Sequence, residues 1–88
     1  MINTKITVTN KAGLHARAAA KLVEIASGFS STIELGSCDR MVDGKSILSI
    51  MLLAASQGSE LNLKIEGDDE KDALKAIQDL IDNRFGEE

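Results

Sequence analysis

Residues 60–69 read Glu-Leu-Asn-Leu-Lys-Ile-Glu-Gly-Asp-Asp, and two hydrophobic patterns meet within them. Leu61, Leu63 and Ile65 alternate with polar residues, which is typical of a half-buried β-strand. After Asp69 the apolar residues recur every three or four positions, which predicts an amphipathic helix with an Asp as its N-cap. The apolar stripe of this helix is Ala73, Leu74, Ile77, Leu80 and Ile81. This junction therefore predicts a strand that leads directly into a helix.

The same two patterns divide the rest of the chain. Three further strands are predicted at residues 2–9, 32–35 and 40–43, and two further helices at residues 16–27 and 47–56. Gly28 is predicted to end the first helix as a left-handed cap, and residues 36–39 are predicted to form a turn. The resulting order, β-α-β-β-α-β-α, predicts an α+β fold. We expect a four-stranded, mainly antiparallel sheet with three helices on one face and water on the other.

The size and composition of the chain limit the possible architectures. Its 88 residues are enough for one domain, spanning residues 1–88, and 43% hydrophobic with 27% charged residues is ordinary globular composition. The longest apolar run, Ile50 to Ala55, is too short to span a bilayer. The chain opens without a secretory leader, and Cys38 has no second cysteine to pair with. We therefore expect a cytoplasmic protein without membrane insertion, in which Cys38 is a small residue tolerated in a turn.

The charge distribution is uneven along the sequence. The net charge is −4, which argues, together with only two aromatic residues, against a nucleic-acid binder. Residues 1–59 carry six basic and four acidic residues, whereas residues 60–88 carry four basic and ten acidic residues. The single histidine lies in the positive part, with Lys11, Arg17, Lys21 and Lys45. This asymmetry is either scatter on a solvated surface or a means of steering an anion or an acidic partner.

His15 is the first candidate for chemistry, because it lies where a loop becomes a helix. The first N–H groups of a helix lack intrahelical acceptors, and together with the helix dipole they favour an anion such as a phosphoryl group. Arg17 can add a charge-assisted hydrogen bond. A neutral imidazole at this place is a possible nucleophile. The alternative is that His15 is only a polar N-cap.

Ser46 and the second helix are the other two candidates. Serine is a preferred N-cap, so Ser46 has either that structural role alone or a further role as a phosphorylation site. The helix after it is apolar on more than one side, and a domain of this size can hardly enclose it. We therefore expect an exposed apolar patch that contacts a partner.

One histidine and one cysteine exclude the usual zinc sites, and we expect no metal and no cofactor.

Gly13-Leu14-His15-Ala16-Arg17, followed by three alanines, together with Gly44-Lys45-Ser46-Ile47-Leu48, resembles the HPr family. These are the histidine-containing phosphocarrier proteins of the phosphoenolpyruvate-dependent sugar phosphotransferase system. The resemblance covers essentially the whole chain, with both motifs at the expected separation. It implies an open-faced β-sandwich of HPr type and a phosphoryl carrier rather than an enzyme.

The resemblance also implies roles for individual residues. His15 would accept a phosphoryl group on Nδ1, the pros nitrogen, from enzyme I and pass it to enzyme IIA proteins. Arg17 and the backbone of Ala16 and Ala18 would contact that group. Ser46 would be the regulatory site of a serine kinase or phosphorylase, and its phosphorylated form could bind a transcription regulator. The partner-docking surface would comprise Ala20, Lys21, Lys45, Ile47, Leu48, Met51 and Leu52. We expect a monomer.

One position departs from the family pattern, and two alternatives remain open. Position 18 is usually proline in the family, and here it is Ala18. Because alanine is a good helix former, the helix start should survive. One alternative function is a paralogue that serves nitrogen-related regulation with its own enzyme I and enzyme IIA. The other is an interaction module that transfers no phosphate and acts only through phosphorylated Ser46.

Overall fold

The computed structural model describes residues 1–37 and 39–86, and in this part of the chain it has four strands and three α-helices. The elements are β1 (Ile2–Thr7), α1 (Ala16–Ser27), β2 (Thr32–Ser37), β3 (Arg40–Asp43), α2 (Ile47–Leu52), β4 (Glu60–Glu66) and α3 (Glu70–Asp82), followed by a 3-10 turn at Arg84–Gly86. The predicted order β-α-β-β-α-β-α is therefore confirmed. The prediction made for Cys38 lies outside the described residues.

The sheet has the strand order β1-β4-β2-β3, and each neighbouring pair is antiparallel. The alternation in β4 sets the register, because Ile65 lies opposite Ile2 on one side and Ile33 on the other. The inward side chains of β2 and β4 are almost completely buried. They form one face of the core, as the alternating pattern predicts.

The helices cover this single apolar face. Ala73, Ile77 and Ile81 of α3 are buried against it, at the three- and four-residue spacing predicted. The buried side of α1 is built mainly from alanines, with Ala18, Ala19 and Ala26 fully enclosed. Small side chains let a helix backbone approach its neighbours closely, which brings α1 against α2 and α3. No helix among residues 1–37 and 39–86 is both long and apolar enough to cross a membrane.

Two predicted boundaries are wrong at the ends of strands. β1 ends at Thr7 rather than residue 9, because the main chain of Val8 pairs with the loop at Gly58 and Ser59 instead of with β4. β2 continues through Ser37, since Gly36 pairs with Met41 of β3 and with Asn62 of β4. The turn predicted at residues 36–39 therefore begins later.

Two predicted helix ends are also wrong. Gly28 has φ −76° and is right-handed, because its N–H closes a further tight turn onto the carbonyl of Ile25 at 3.1 Å. The helix predicted over residues 47–56 ends at Leu52. Ala54 turns into the left-handed region at φ 51°, which takes the chain out of the helix and places Ala55 next to the loop that precedes α1.

Asp69 is the N-cap residue of α3, as predicted, although its side chain does not cap that helix. Its carboxylate instead accepts hydrogen bonds from the backbone N–H groups of Ser30 and Ser31, at 2.9 and 3.0 Å, and from the Ser31 hydroxyl. These bonds lower the pKa of Asp69 from 3.8 to about 2, with the Ser31 hydroxyl as the largest cause. Asp69 therefore ties the start of α3 to the segment between α1 and β2.

Candidate functional site

The loop that leads into α1 is held in one conformation by its backbone. Gly13 has φ 73°, a conformation that residues with a side chain rarely adopt. A Cβ atom at this position would lie 2.4 Å from the carbonyl oxygen of Ala55. The next residue, Leu14, donates its N–H to that same oxygen at 2.9 Å and buries its side chain. The early end of α2 thus provides the acceptor that fixes this loop.

His15 follows directly and is the N-cap of α1. Its backbone is extended, and its Nδ1 atom accepts a hydrogen bond from the N–H of Arg17 at 3.3 Å. A ring nitrogen that accepts a hydrogen bond presents a lone pair rather than a proton. The residue as a whole is half-buried. The structure therefore turns the Nδ1 lone pair toward the start of the helix.

The N-terminus of α1 provides N–H groups around this nitrogen. The first helical hydrogen bond runs from the N–H of Ala19 to the carbonyl of His15 at 2.8 Å. The N–H groups of Ala16, Arg17 and Ala18 precede it, and such groups have no intrahelical acceptor. Ala16 and Arg17 are exposed, whereas the methyl group of Ala18 is fully buried. An anion attached to Nδ1 would meet these donors and the positive end of the dipole of α1.

Alanine at position 18 is compatible with this arrangement. The helix begins at Ala16, and the Ala18 side chain packs into the core cluster. The expectation that the helix start survives without proline is therefore confirmed.

Ser46 occupies the N-cap of α2. Its hydroxyl oxygen accepts a hydrogen bond from the N–H of Ser49 at 3.3 Å, and its carbonyl accepts one from Ile50 at 3.1 Å. Ser46 is half-buried, and the two residues that follow it in α2, Ile47 and Leu48, are exposed. The capping role predicted for Ser46 is thus present in the structure.

The exposed apolar patch predicted on the second helix is also present. Ile50 is fully buried and anchors α2 to the core. The rest of the helix leaves four large apolar side chains exposed, by between 40% and 69%. We call these the α2 patch: Ile47, Leu48, Met51 and Leu52. Ala54, which falls within the helix predicted over residues 47–56, lies outside the observed helix and is exposed, because the chain turns at that residue.

Two lysines of the positive part of the sequence are held by main-chain carbonyls. The Lys21 amine donates to the carbonyl of Phe85 at 2.7 Å, and the Lys45 amine donates to the carbonyl of Phe29 at 2.8 Å. Both residues are half-buried, whereas Lys11, Ala20 and Arg17 are exposed. Lys21 and Lys45 therefore contribute charge from fixed positions rather than as mobile side chains.

Sequence reasoning missed Asn10. Its side chain is completely buried beside the loop, and its Nδ2 atom donates to the carbonyl of Gly13 at 2.8 Å. The sequence contains one relevant signal, since asparagine is a turn-forming residue. Burial of this side chain could not be anticipated from that preference alone. Among residues 1–37 and 39–86, no three His, Cys, Asp or Glu side chains are grouped so that they could hold a metal ion.

A family model and a search of known proteins both indicate the HPr family. Residues 2–83 match the family model described as "PTS HPr component phosphorylation site". The chain is 50% identical over 88 residues to the phosphocarrier protein HPr of Xylella fastidiosa strain Temecula1, with 100% of this chain and 99% of the relative covered.

Solved structures of HPr proteins share the fold. HPr from Thermoanaerobacter tengcongensis superimposes with a TM-score of 0.94 at 50% identity, covering 100% of this chain and 99% of that one. An HPr dimer from the same organism has a TM-score of 0.78 at 49% identity, covering 99% and 100%. These structures confirm the open-faced β-sandwich expected from the sequence.

Proposed function

This chain belongs to the HPr family, the phosphocarrier proteins of the phosphotransferase system, and from that premise we propose that His15 is its phosphoryl acceptor. Members of this family are phosphocarrier proteins, and we propose that the chain carries phosphoryl groups rather than acting as a classical enzyme. One observation supports His15 above all: its Nδ1 lone pair is directed at the N–H of Arg17 at the start of α1.

The transfer step follows from this geometry. The Nδ1 lone pair attacks phosphorus, and the bond between phosphorus and the donor atom of phosphorylated enzyme I breaks as the Nδ1–P bond forms. The electron pair of the broken bond stays on the donor, and the proton on Nε2 of His15 stays in place. In the next step an enzyme IIA nucleophile takes the phosphoryl group, and the Nδ1 lone pair is restored. Phosphate is conserved throughout, so the protein is a shuttle.

The helix start stabilises the phosphoryl oxygens in the phosphorylated state. In the unphosphorylated structure the Arg17 N–H donates to Nδ1. After phosphorylation it can donate to a phosphoryl oxygen instead, together with the neighbouring N–H groups of Ala16 and Ala18. The exposed Arg17 guanidinium can add a charge-assisted bond. Each interaction with the helix dipole stabilises the anion by about 0.3–1 kcal/mol. Such modest stabilisation suits a group that must leave again.

Labelling tests the acceptor directly. Incubation with enzyme I and labelled phosphoenolpyruvate should attach phosphate in an acid-labile, base-stable form to the wild-type chain. A His15→Ala variant should take up none. Equal labelling of that variant would exclude His15.

The α2 patch supports a docking role for this side of the molecule. Its apolar side chains are exposed on a helix that packs against α1, and we propose that enzyme I and enzyme IIA proteins bind here and also contact Ala20, Lys21 and Lys45. The fixed positive charges of Lys21 and Lys45 would attract acidic partners.

Regulatory phosphorylation at Ser46 is a second proposal. A phosphate would add a charge of about −1.5 to −2 next to Ile47, at the edge of the α2 patch. Docking of partners that favour an apolar surface would then weaken, and a serine kinase or phosphorylase would set the balance. A Ser46→Asp variant should accept phosphate from enzyme I more slowly than Ser46→Ala. Equal rates would count against regulation at this residue.

Phosphorylation assays separate the alternative functions. Phosphorylation rates with enzyme I of the sugar branch and of the nitrogen branch distinguish the two paralogues. A module that acts only through a transcription regulator would accept phosphate from neither. We propose a monomer in the cytoplasm, and light scattering together with cell fractionation tests this, given that a dimer of the Thermoanaerobacter tengcongensis relative exists.

A further inference from the structure

The peptide that joins Gly13 to Leu14 is fixed at both of its polar ends. Its carbonyl oxygen accepts two hydrogen bonds, from Asn10 Nδ2 at 2.8 Å and from the N–H of His15 at 2.9 Å. Its N–H, which belongs to Leu14, donates to the carbonyl of Ala55 at 2.9 Å. A peptide plane held at both ends cannot rotate without breaking at least one of these bonds.

Asn10 is the only one of these partners that contributes a side chain. It is completely buried, and the N–H of Gly13 donates back to its carbonyl at 3.2 Å, which closes the turn formed by residues 10–13. Burying a carboxamide is costly unless it forms hydrogen bonds. The hydrogen bond from Nδ2 to the Gly13 carbonyl is one that no apolar side chain at position 10 could make.

The direction of the His15 ring depends on this peptide. The His15 N–H bonds to the Gly13 carbonyl, and the extended backbone of His15 then points its ring back toward the N–H of Arg17. If the Gly13 carbonyl rotated, the anchor of the His15 backbone would move and the contact between Nδ1 and Arg17 would be lost. Displacement of a reacting atom by about 1 Å can slow a reaction roughly 100-fold.

We propose that Asn10 is a positioning residue for phosphoryl transfer, which sets the orientation of the His15 ring through the Gly13–Leu14 peptide. This inference rests on the proposed role of His15 as acceptor. It assigns Asn10 no contact with the phosphoryl group and no place on the docking surface.

The decisive experiment compares kcat with KM for phosphorylation of the chain by enzyme I. In Asn10→Ala, kcat should fall roughly 10- to 100-fold while KM changes less than about twofold, because the α2 patch is untouched. Ser31→Ala is the matched control. Ser31 is equally buried and makes a side-chain hydrogen bond beyond the opposite end of α1, so its loss should reduce stability without lowering kcat.

The ¹⁵N chemical shifts of the His15 ring provide a second test, because a general loss of stability would not change them in the folded protein. In the wild-type protein Nδ1 should have the chemical shift of an unprotonated nitrogen, and in Asn10→Ala it should move toward a mixture of the two tautomers. Asn10→Leu fills the volume without a donor and should behave as Asn10→Ala does, which covers the case where the alanine variant does not fold.

Unchanged kcat and unchanged His15 nitrogen shifts in a folded Asn10 variant would overturn the inference. Rapid solvent exchange of the Asn10 side-chain amide protons in the wild-type protein would overturn it as well. If the wild-type chain accepted no phosphate, the proposed function would fail, while the nitrogen shifts would still decide whether Asn10 orients His15.

Discussion

Truncation of Leu48 separates the docking role of the α2 patch from its role in the fold. Leu48 is 69% exposed, the highest value among the four patch residues. Replacing it with alanine removes apolar surface that a partner could cover and leaves the buried Ile50 in place. Because alanine is the better helix former, α2 itself should persist.

The expected magnitude follows from the exposed fraction. Complete burial of a leucine side chain contributes about 1.5–3 kcal/mol. Since 69% of Leu48 remains to be covered, a docked partner gains about two-thirds of this, roughly 1–2 kcal/mol. That corresponds to an increase of about 5- to 30-fold in the KM for phosphorylation by enzyme I, if KM follows the dissociation constant. The free energy of unfolding should change by less than about 0.5 kcal/mol.

The assay is steady-state phosphorylation of the Leu48→Ala variant at several concentrations, with urea unfolding of the same preparation. Lys75→Ala provides the control, because Lys75 is exposed on α3, away from the patch. An unchanged KM in a stable Leu48→Ala protein would refute docking at this surface. A large loss of stability would refute the view that Leu48 makes little contribution to the core.

Three further outcomes are expected. Ile50→Ala should lower the free energy of unfolding by about 2–5 kcal/mol in urea titrations, since its fully buried side chain leaves a cavity. Gly13→Ala should destabilise by more than about 1 kcal/mol and also slow phosphorylation, because it combines a left-handed backbone with a clash against Ala55. The depressed pKa of Asp69 implies a contribution to stability that is fully present above its ordinary value of 3.8 and is lost as the pH falls toward 2. Asp69→Asn should therefore flatten the dependence of the thermal midpoint on pH in this interval, and an unchanged slope would contradict the assignment.

The sequence by itself determined the elements and the face that each buries. The alternation in β4 and the three- and four-residue spacing in α3 predicted both elements, because periodicity reports directly which side of an element meets the core. Exposure of the α2 patch was also predictable, since a helix that is apolar on several sides cannot be enclosed by a domain of this size. The two motifs around His15 and Ser46 indicated where phosphoryl transfer and its regulation are proposed.

Only the tertiary structure decided how the His15 loop is held. The end of α2 at Leu52, the turn at Ala54 and the acceptor at Ala55 follow from contacts between segments about 40 residues apart, which no local pattern records. The same reason explains why Asn10 and the attachment of Lys21 and Lys45 to distant carbonyls were not foreseen. Hydrogen bonds between distant segments form only when the packed core brings them together, whereas hydrophobic periodicity is already present in the unfolded chain.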